Sequence, residues 1–388
     1  MVPRKKVLLL VETSRNFGRQ FIQGVSQFAM EKHWNIVFQD RSTFDRFPGF
    51  LNDWNGDGII ARTGNEKDYR RLLRLNIPVV NAQGDGKKLQ PHVQIDEPPS
   101  CRLVAEHFHQ RGLTNFAFFS LGHTWWSRER FEAFRDALAV YGADCELSPM
   151  SKKRNDISLS VLWWKGCEEE VFQWIQKLPK PIGVFCPWDM HAFFFLNICN
   201  QRGIAIPDDV AVVGYGNNAD FCRMSAPSLS SLAPNGRAIG YQAAELLHEV
   251  FQGEEFPTTP ILIPATHLEV RQSSDTVAVN DPSVAKAVYF IRRNLTSRTI
   301  SVAAVAKHLG ISRNTLALRF RSALGHSPDK EITLEKIALA RNLLRETNFS
   351  ISQIAVELGY SNVANFIRAF RKMTEQTPAE YRAKIRQV

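Results

Sequence analysis

The sequence predicts two units of different class: a two-lobed α/β domain with parallel sheets, followed by an all-α domain with two helix-turn-helix units. Three observations lead there. Over residues 1–272, short apolar runs alternate with amphipathic stretches, the pattern of strands covered by helices on both faces. Near the carboxyl end the chain repeats itself at an offset of 49 residues. The net basic excess is C-terminal: residues 281–388 carry 18 Lys and Arg against 8 Asp and Glu, while residues 1–280 carry 30 against 31. A basic module on a near-neutral body fits a phosphate-binding surface, although a solvated basic face gives the same count.

Composition bounds the remaining classes. With 44% hydrophobic and 22% charged residues the 388-residue chain is neither disordered nor fibrous, and its length suits two or three compact units. The apolar run 7–11 ends at Glu12, too short for a signal-peptide core. No stretch approaches the roughly 20 apolar residues of a membrane helix, so the expected location is the cytoplasm. Six cysteines (Cys101, Cys145, Cys167, Cys186, Cys199, Cys222) are scattered without metal-ligand spacing, which predicts buried thiols and no metal. No cofactor is expected.

In the first unit, strands are predicted at 7–11, 36–38, 58–61, 77–81, 116–119, 182–186 and 210–215. Helices are expected over 17–33, 100–111, 129–141, 167–177, 190–202 and 236–252. This exceeds one sheet and implies two lobes, with chain crossings near 113, 235 and 260. Ligands in such sheets sit beyond the carboxyl ends of strands. Polar and aromatic residues fall there: Asn16, Phe17 and Arg19, then Gln83, then Trp125, Trp126 and Arg130, then Trp188 and Asp189, and finally Asn217 and Asn218. Carboxylate, guanidinium and amide groups bridge neighbouring hydroxyls while aromatic faces cover a sugar ring, so the mixture suits a small polyol. Two blander readings stand beside this one: Asp189 as the cap of the next helix, and Trp125 and Trp126 as packing residues. Trp163 and Trp164 are assigned to packing.

In the second unit, Ser301 through Gly310 matches Ser350 through Gly359. Each copy places apolar residues at i, i+3, i+4 and i+7 (Val302, Val305, Ala306, Leu309; Ile351, Ile354, Ala355, Leu358), between a capping Ser and a Gly suited to a left-handed turn. One apolar residue follows (Ile311, Tyr360), then a second expected cap (Ser312, Ser361) and a helix anchored by Leu316 and Phe320 or by Phe366 and Phe370. Helix, short turn, helix at about 301–321 and 350–371 is the arrangement that lays its second helix in a DNA major groove. Residues 334–344 read as a connecting helix. A helical oligomerisation module would share the amphipathic pattern but not the duplicated cap, Gly and Phe-Arg positions.

At about 100° per residue, the inward anchors leave Asn314, Leu318 and Arg321 outward with Ala317 at the margin, and Ala364, Asn365, Arg368 and Arg371 outward in the second copy. Arg368 suits bidentate contact with guanine, and Asn314 suits adenine; Leu318 and Ala364 offer apolar contact. Arg313, Arg321, Arg371 and Lys372, with Ser312 and Ser361, read as phosphate contacts.

The stretch from Ala340-Arg341-Asn342-Leu343-Leu344 through Ile354-Ala355, Leu358-Gly359-Tyr360, Phe366, Arg368, Phe370-Arg371 and Thr377-Pro378 to Tyr381-Arg382 resembles the AraC-type family of bacterial regulators. The likeness covers about 105 residues. Residues 181–189, 202–215 and 227–232 resemble the periplasmic-binding-protein-like effector domain of the lactose/purine repressor family, more loosely over about 265 residues. That resemblance implies effector positions at Phe17, Arg130 and Asp189. It also shows a departure, since Gly216 stands where the family usually has Asp. An effector domain of this kind ahead of an AraC-type module is similar to the arrangement of bacterial xylose-operon regulators, which 17–20 and 268–275 also resemble.

The resemblance implies a homodimer acting on double-stranded DNA half-sites, a small sugar effector with D-xylose leading, contact with RNA polymerase, and activation over repression. Another pentose, a hexose or a nucleoside remains open as effector. The expected organisation is an effector-sensing domain at 1–272, a linker at 273–281 and the DNA-binding domain at 282–388. An α/β enzyme is the rival class, but the chain lacks a nucleophile elbow, a phosphate loop and a zinc-binding His pair. His107 and His109 lie two residues apart on different sides of a helix, and His123 and His191 stand alone.

Overall fold

A computed structural model of the protein describes residues 4–41, 48–64, 66–85, 92–122, 124–152, 167–276, 281–297, 299–347 and 349–386. His123 and the pair Trp163 and Trp164 lie outside the described residues. The chain divides into an N-terminal unit, Met1–Thr276, and a C-terminal unit, Val277–Val388.

The N-terminal unit begins with lobe I: β1 (Lys6–Val11), α1 (Asn16–Glu31), β2 (Asn35–Asp40), β3 (Gly58–Ala61), α2 (Glu66–Leu73) and β4 (Val79–Asn81). Their sheet is wholly parallel in the order β2-β1-β3-β4. Val7 to Val11 are all buried because a strand covered on both faces is apolar throughout. After β5 (Val93–Asp96) the chain enters lobe II: α3 (Glu97–Gln110), β6 (Asn115–Phe118), α4 (Trp125–Ala139), β7 (Glu146–Leu147), α5 (Glu168–Lys177), β8 (Ile182–Phe185), α6 (Asp189–Gln201), β9 (Val210–Tyr215), α7 (Ala219–Met224) and β10 (Ser230–Ala233). Helix α8 (Gly236–Phe251) returns to lobe I, β11 (Ile261–Pro264) pairs in parallel with β5, and β12 (His267–Glu269) ends on lobe II. The lobe II sheet runs β12-β10-β9-β8-β6-β7, with β12 alone antiparallel among these described strands.

The first crossing lies at Asp96–Glu97 rather than near 113, because α3 packs on α4, β10 and β12 and therefore belongs to lobe II. The strand before it escaped the sequence reading: β5 has four residues of which only Val93 and Ile95 are buried. Glycine lets α8 settle on α1, since a Cβ on Gly24 would lie 2.0 Å from the Arg237 carbonyl oxygen and one on Gly240 2.0 Å from that of Phe21.

The expected linker starts too early. Ser273, Ser274 and Thr276 are buried in the N-terminal unit. Ser273 Oγ donates to the Val212 carbonyl at 2.6 Å, Ser274 Oγ meets His107 Nε2 at 2.7 Å, and Asp275 pairs with Arg111 at 3.2 Å. Their polarity suggested a linker, but Ser273 satisfies the Val212 carbonyl and the Ser230 N–H, while Ser274 and Asp275 are taken up by the side chains of His107 and Arg111. Residues 277–280 of the expected linker lie outside the described set.

The C-terminal unit consists of α9 (Pro282–Arg293), α10 (Val302–Leu309), α11 (Arg313–Leu324), α12 (Pro328–Glu346), α13 (Ile351–Glu357), α14 (Val363–Thr374) and α15 (Pro378–Arg386). It has two small cores. Val305, Leu316 and Phe320 share one with Val284 and Ile291, while Ile354, Phe366 and Phe370 share the other with Ile337, Ala340 and Leu344. The connecting helix α12 serves both, giving Ile332 to the first and Ile337 to the second, with Leu339 against each. Its 19 residues span roughly 28 Å, so the two helix-turn-helix units are joined by a stiff strut.

Local chemistry sets these helix ends. Ser301 and Ser312 accept the N–H groups of Ala304 and Thr315, and Gly310 sits at φ 64° between the helices. Ser350 forms a reciprocal capping box with Gln353. In the second turn the cap is Asn362, not Ser361: Asn362 Oδ1 accepts the Asn365 N–H at 2.8 Å, and Ser361 Oγ accepts from Asn365 Nδ2 at 3.1 Å. This turn is one residue longer than the first, which is why the helix anchors recur at 50 residues and the first helices at 49.

Candidate effector cleft and nucleic-acid interface

The carboxyl ends of the strands in both lobes open on one cleft of about 680 Å³, counting its solvent-open part. It is lined from lobe I by Arg15, Asn16, Phe17, Arg62 and Gln83, and from lobe II by Trp125, Trp126, Arg130, Trp188, Asp189, Tyr215, Gly216 and Asn218. Phe17, Arg130, Trp188 and Asp189 thus come together as the sequence suggested, with Asn16, Gln83, Trp125, Trp126 and Asn218 beside them.

Arg130 is held rather than free. Its Nε donates to Glu97 Oε1 at 3.0 Å and its Nη1 to the Pro187 carbonyl at 2.7 Å, while the guanidinium stacks 3.6 Å from the Tyr215 ring centre. Tyr215 Oη donates to the other Glu97 oxygen at 3.0 Å. Burial pushes the Glu97 carboxyl above its ordinary pKa, with Arg130 and Tyr215 opposing the shift.

Asp189 lies at the first position of α6 but makes no cap hydrogen bond, so the capping role is not the one it takes. It is fully buried beneath the cleft floor, where Oδ2 accepts the Asn218 N–H at 2.7 Å and Oδ1 accepts from Ser231 Oγ. Burial raises its pKa to about 6, against those two donors and the nearby Arg271 and Arg130.

This carboxylate explains Gly216. A Cβ at Gly216 would stand 3.1 Å from Asp189 Oδ2, and the backbone there has φ 127°, a conformation side chains rarely adopt. An acidic side chain at 216 would meet the buried Asp189 carboxylate.

Two expected residues are elsewhere. Arg19 is exposed and donates to the carbonyls of Thr13 and Ser14 at 3.0 and 3.3 Å, fastening the β1–α1 loop. Asn217 uses Oδ1 to accept from Arg271 at 2.9 Å and its N–H to reach Ser231 at 2.9 Å; Asn218 lines the cleft, with its Oδ1 capping α7 by accepting the N–H groups of Asp220 and Phe221. The sequence reading missed Arg15, Arg62 and Tyr215. Arg15 immediately precedes the Asn16-Phe17 pair that it did pick out, and Tyr215 ends a predicted strand; Arg62 follows β3 directly, and the strand-end rule would have found it. His191, between Trp126 and Trp188 at ring distances of 6.0 and 5.5 Å, is fully buried, and its pKa falls to about 3. It is neutral packing behind the aromatic wall.

In the C-terminal unit Leu316, Phe320, Phe366 and Phe370 are fully buried. On the other side of α11, Arg313, Asn314, Leu318 and Arg321 are exposed and Ala317 half-buried; on α14, Ala364, Asn365, Arg368, Arg371 and Lys372 are exposed. Leu318 stands out, an apolar side chain 66% exposed on a helix whose core side is filled. Arg319 is not available to a duplex in the same way, since it donates to Ser283 and pairs with Asp281 at 3.4 Å.

A cleft between two parallel-sheet lobes, joined to a duplicated helix-turn-helix with a basic outer face, defines a ligand-sensing, DNA-binding transcription regulator. Comparison with known proteins agrees: the XylR N-terminal domain matches residues 6–96, a periplasmic-binding-protein-like domain 105–274 and a helix-turn-helix domain 305–384. The chain is 31% identical over 387 residues to the xylose operon regulatory protein of Haemophilus influenzae, covering 97% of this chain and 98% of that one. It is 30% identical over 397 residues to that of Escherichia coli K12, covering 98% and 97%. The solved structure of a xylose-binding transcription activator superposes with a TM-score of 0.74 at 28% identity over 98% of both chains. The chain belongs to the family of xylose operon regulatory proteins, which are transcription regulators and not enzymes. Among the described residues no helix is long and apolar enough to cross a membrane.

Proposed function

We propose that this protein activates sugar-utilisation genes in the cytoplasm on binding D-xylose in the interlobe cleft. The observation that carries the reading is the union in one chain of a sugar-type cleft with two helix-turn-helix units, in an order shared over the full length with xylose regulators. In this reading the indole and phenyl faces of Trp188, Trp126 and Phe17 cover the ring. Arg130, Asn16, Gln83 and Asn218 serve the hydroxyls. Two copies associate through their N-terminal units, and the paired C-terminal units address two DNA half-sites and RNA polymerase. Arg368 and Asn314 read bases, with Leu318 and Ala364 in apolar contact, while Arg313, Arg321, Arg371 and Lys372 grip phosphates.

The test is thermal stabilisation of the full chain by pentoses, hexoses and nucleosides, run beside binding to its own promoter. D-xylose is expected to raise the melting temperature and alter promoter occupancy. Stabilisation by a hexose or nucleoside with none from xylose would reassign the effector.

A further inference from the structure

The cleft brings together the guanidinium groups of Arg15, Arg62 and Arg130, with the carboxylates of Glu12, Glu97 and Asp189 near them, but the pairing is uneven. Arg130 is matched by Glu97, but Arg15 and Arg62 are not matched in the same manner. Arg15 stacks on Trp188 at 4.3 Å, with Glu12 at 3.6 Å as its ion partner. Arg62 stacks on Phe17 at 4.9 Å, and its side chain has no hydrogen bond or ion pair with any described residue. One carboxylate, that of Glu12, therefore faces two guanidinium groups. Burial and then Arg15 bring the Arg62 pKa down to about 10.

The helix beside them adds to the imbalance. Helix α1 has 16 residues, and it starts at this corner of the cleft without a side-chain cap or an acidic residue in its first turn. A cation at the positive end of a helix dipole is unfavourable, and Arg15 occupies that place. Two guanidinium groups on aromatic platforms with uncapped N–H groups alongside make a receptor for an oxyanion.

We propose that the Arg15–Arg62 corner is an oxyanion subsite, so that a monosaccharide with a terminal phosphate ester or carboxylate occupies the same cleft as the neutral pentose. This rests on the cleft being the effector site. The ring lies against the lobe II aromatics, the anion reaches lobe I, and the two ligand classes exclude each other.

The test is isothermal titration of the full chain with D-xylose, D-ribose 5-phosphate, D-xylonate and inorganic phosphate, before and after Arg62→Met. The expected result is that one anionic sugar binds, competes with xylose, weakens more steeply with salt than xylose does, and loses at least tenfold in affinity in the variant. Xylose should lose several-fold less affinity than the anionic sugar in the same variant, and Arg62→Lys should restore most of the anionic sugar's loss. Whether the phosphate ester or the carboxylate binds names the source of the anion. Xylose binding with neither anionic sugar bound overturns the subsite and leaves the effector reading intact. An equal loss of all ligands in Arg62→Met, or inorganic phosphate binding as tightly as the sugar phosphate, also overturns it. No ligand of any kind removes both readings.

Discussion

Replacing Asp189 by Asn separates the charge of this side chain from its shape. The carboxylate is fully buried and accepts from Ser231 Oγ and the Asn218 N–H. Its pKa is about 6 in the fold against 3.8 as the ordinary value. A carboxyl raised on folding adds stability that is complete below about pH 4 and is lost as pH rises through 6. Between pH 5 and pH 8 that loss is on the order of 1 kcal/mol. Asn carries no proton to lose, and its amide can donate to Ser231 while its oxygen accepts from Asn218, so the variant lacks this dependence.

For a unit of this size a loss on the order of 1 kcal/mol corresponds to roughly 3 °C in melting temperature. The assay is a pair of melting curves on the full chain, native and Asp189→Asn, across pH 5 to 8. Glu129, which burial and neighbouring acids push up to about 7, titrates in both proteins and cancels in the difference. The variant should gain on the native protein as pH rises. Parallel curves would refute the raised pKa, because a carboxyl that titrates below about pH 4 in the fold is ionised in both states throughout this range.

Other predictions address the DNA-binding unit. Arg368→Ala should weaken promoter binding by about 1–3 kcal/mol and relax preference at one base pair in a substitution series; uniform loss on all sequences would make it a phosphate contact. Phe370 is fully buried between Phe366 and Tyr381, at ring distances of 5.8 and 5.6 Å. Phe370→Ala should cost about 3–5 kcal/mol in the C-terminal unit, measured by denaturant unfolding, whereas the exposed Leu318→Ala should change stability by less than about 0.5 kcal/mol.

What the sequence revealed followed the strength of its periodic signals. The seven expected strands all exist because each belongs to a sheet buried on at least one face, and β8 and β9 are buried at every residue. The strands that escaped, β5, β7, β10, β11 and β12, are short or carry polar residues. In β10, Ser230 and Ser231 are buried but consumed by hydrogen bonds to Arg271 and Asp189, a fact that only long-range packing reveals. The C-terminal repeat was legible almost to the residue since caps and apolar spacing are local. Its one error, Ser361 for Asn362, arose where two capping residues are adjacent. In the cleft, residue types pointed to the right strand ends but not to the right neighbours. Asn217 and Asn218 are equivalent on paper, but Arg271, 54 residues from Asn217, engages the first, while the second lines the cleft and caps α7.

That same contact indicates where a signal could leave the cleft. Asn218 is tied to Asp189, Asp189 and Asn217 meet on Ser231, and Asn217 holds Arg271. From Arg271 onward the chain is fastened to lobe II: Arg271 to the Leu229 carbonyl at 2.9 Å, Ser273 to Val212 and Ser230, Ser274 to His107, and Asp275 to Arg111. All these partners belong to lobe II, so the segment that leaves the N-terminal unit at Thr276 is carried by that lobe. A ligand that draws the lobes together therefore displaces the departing chain relative to lobe I without needing to deform lobe II. It can do so only in proportion to its preference for the closed arrangement, which makes the residues that line the cleft from lobe I, Phe17 and Asn16 among them, as important to the proposed response as those that line it from lobe II.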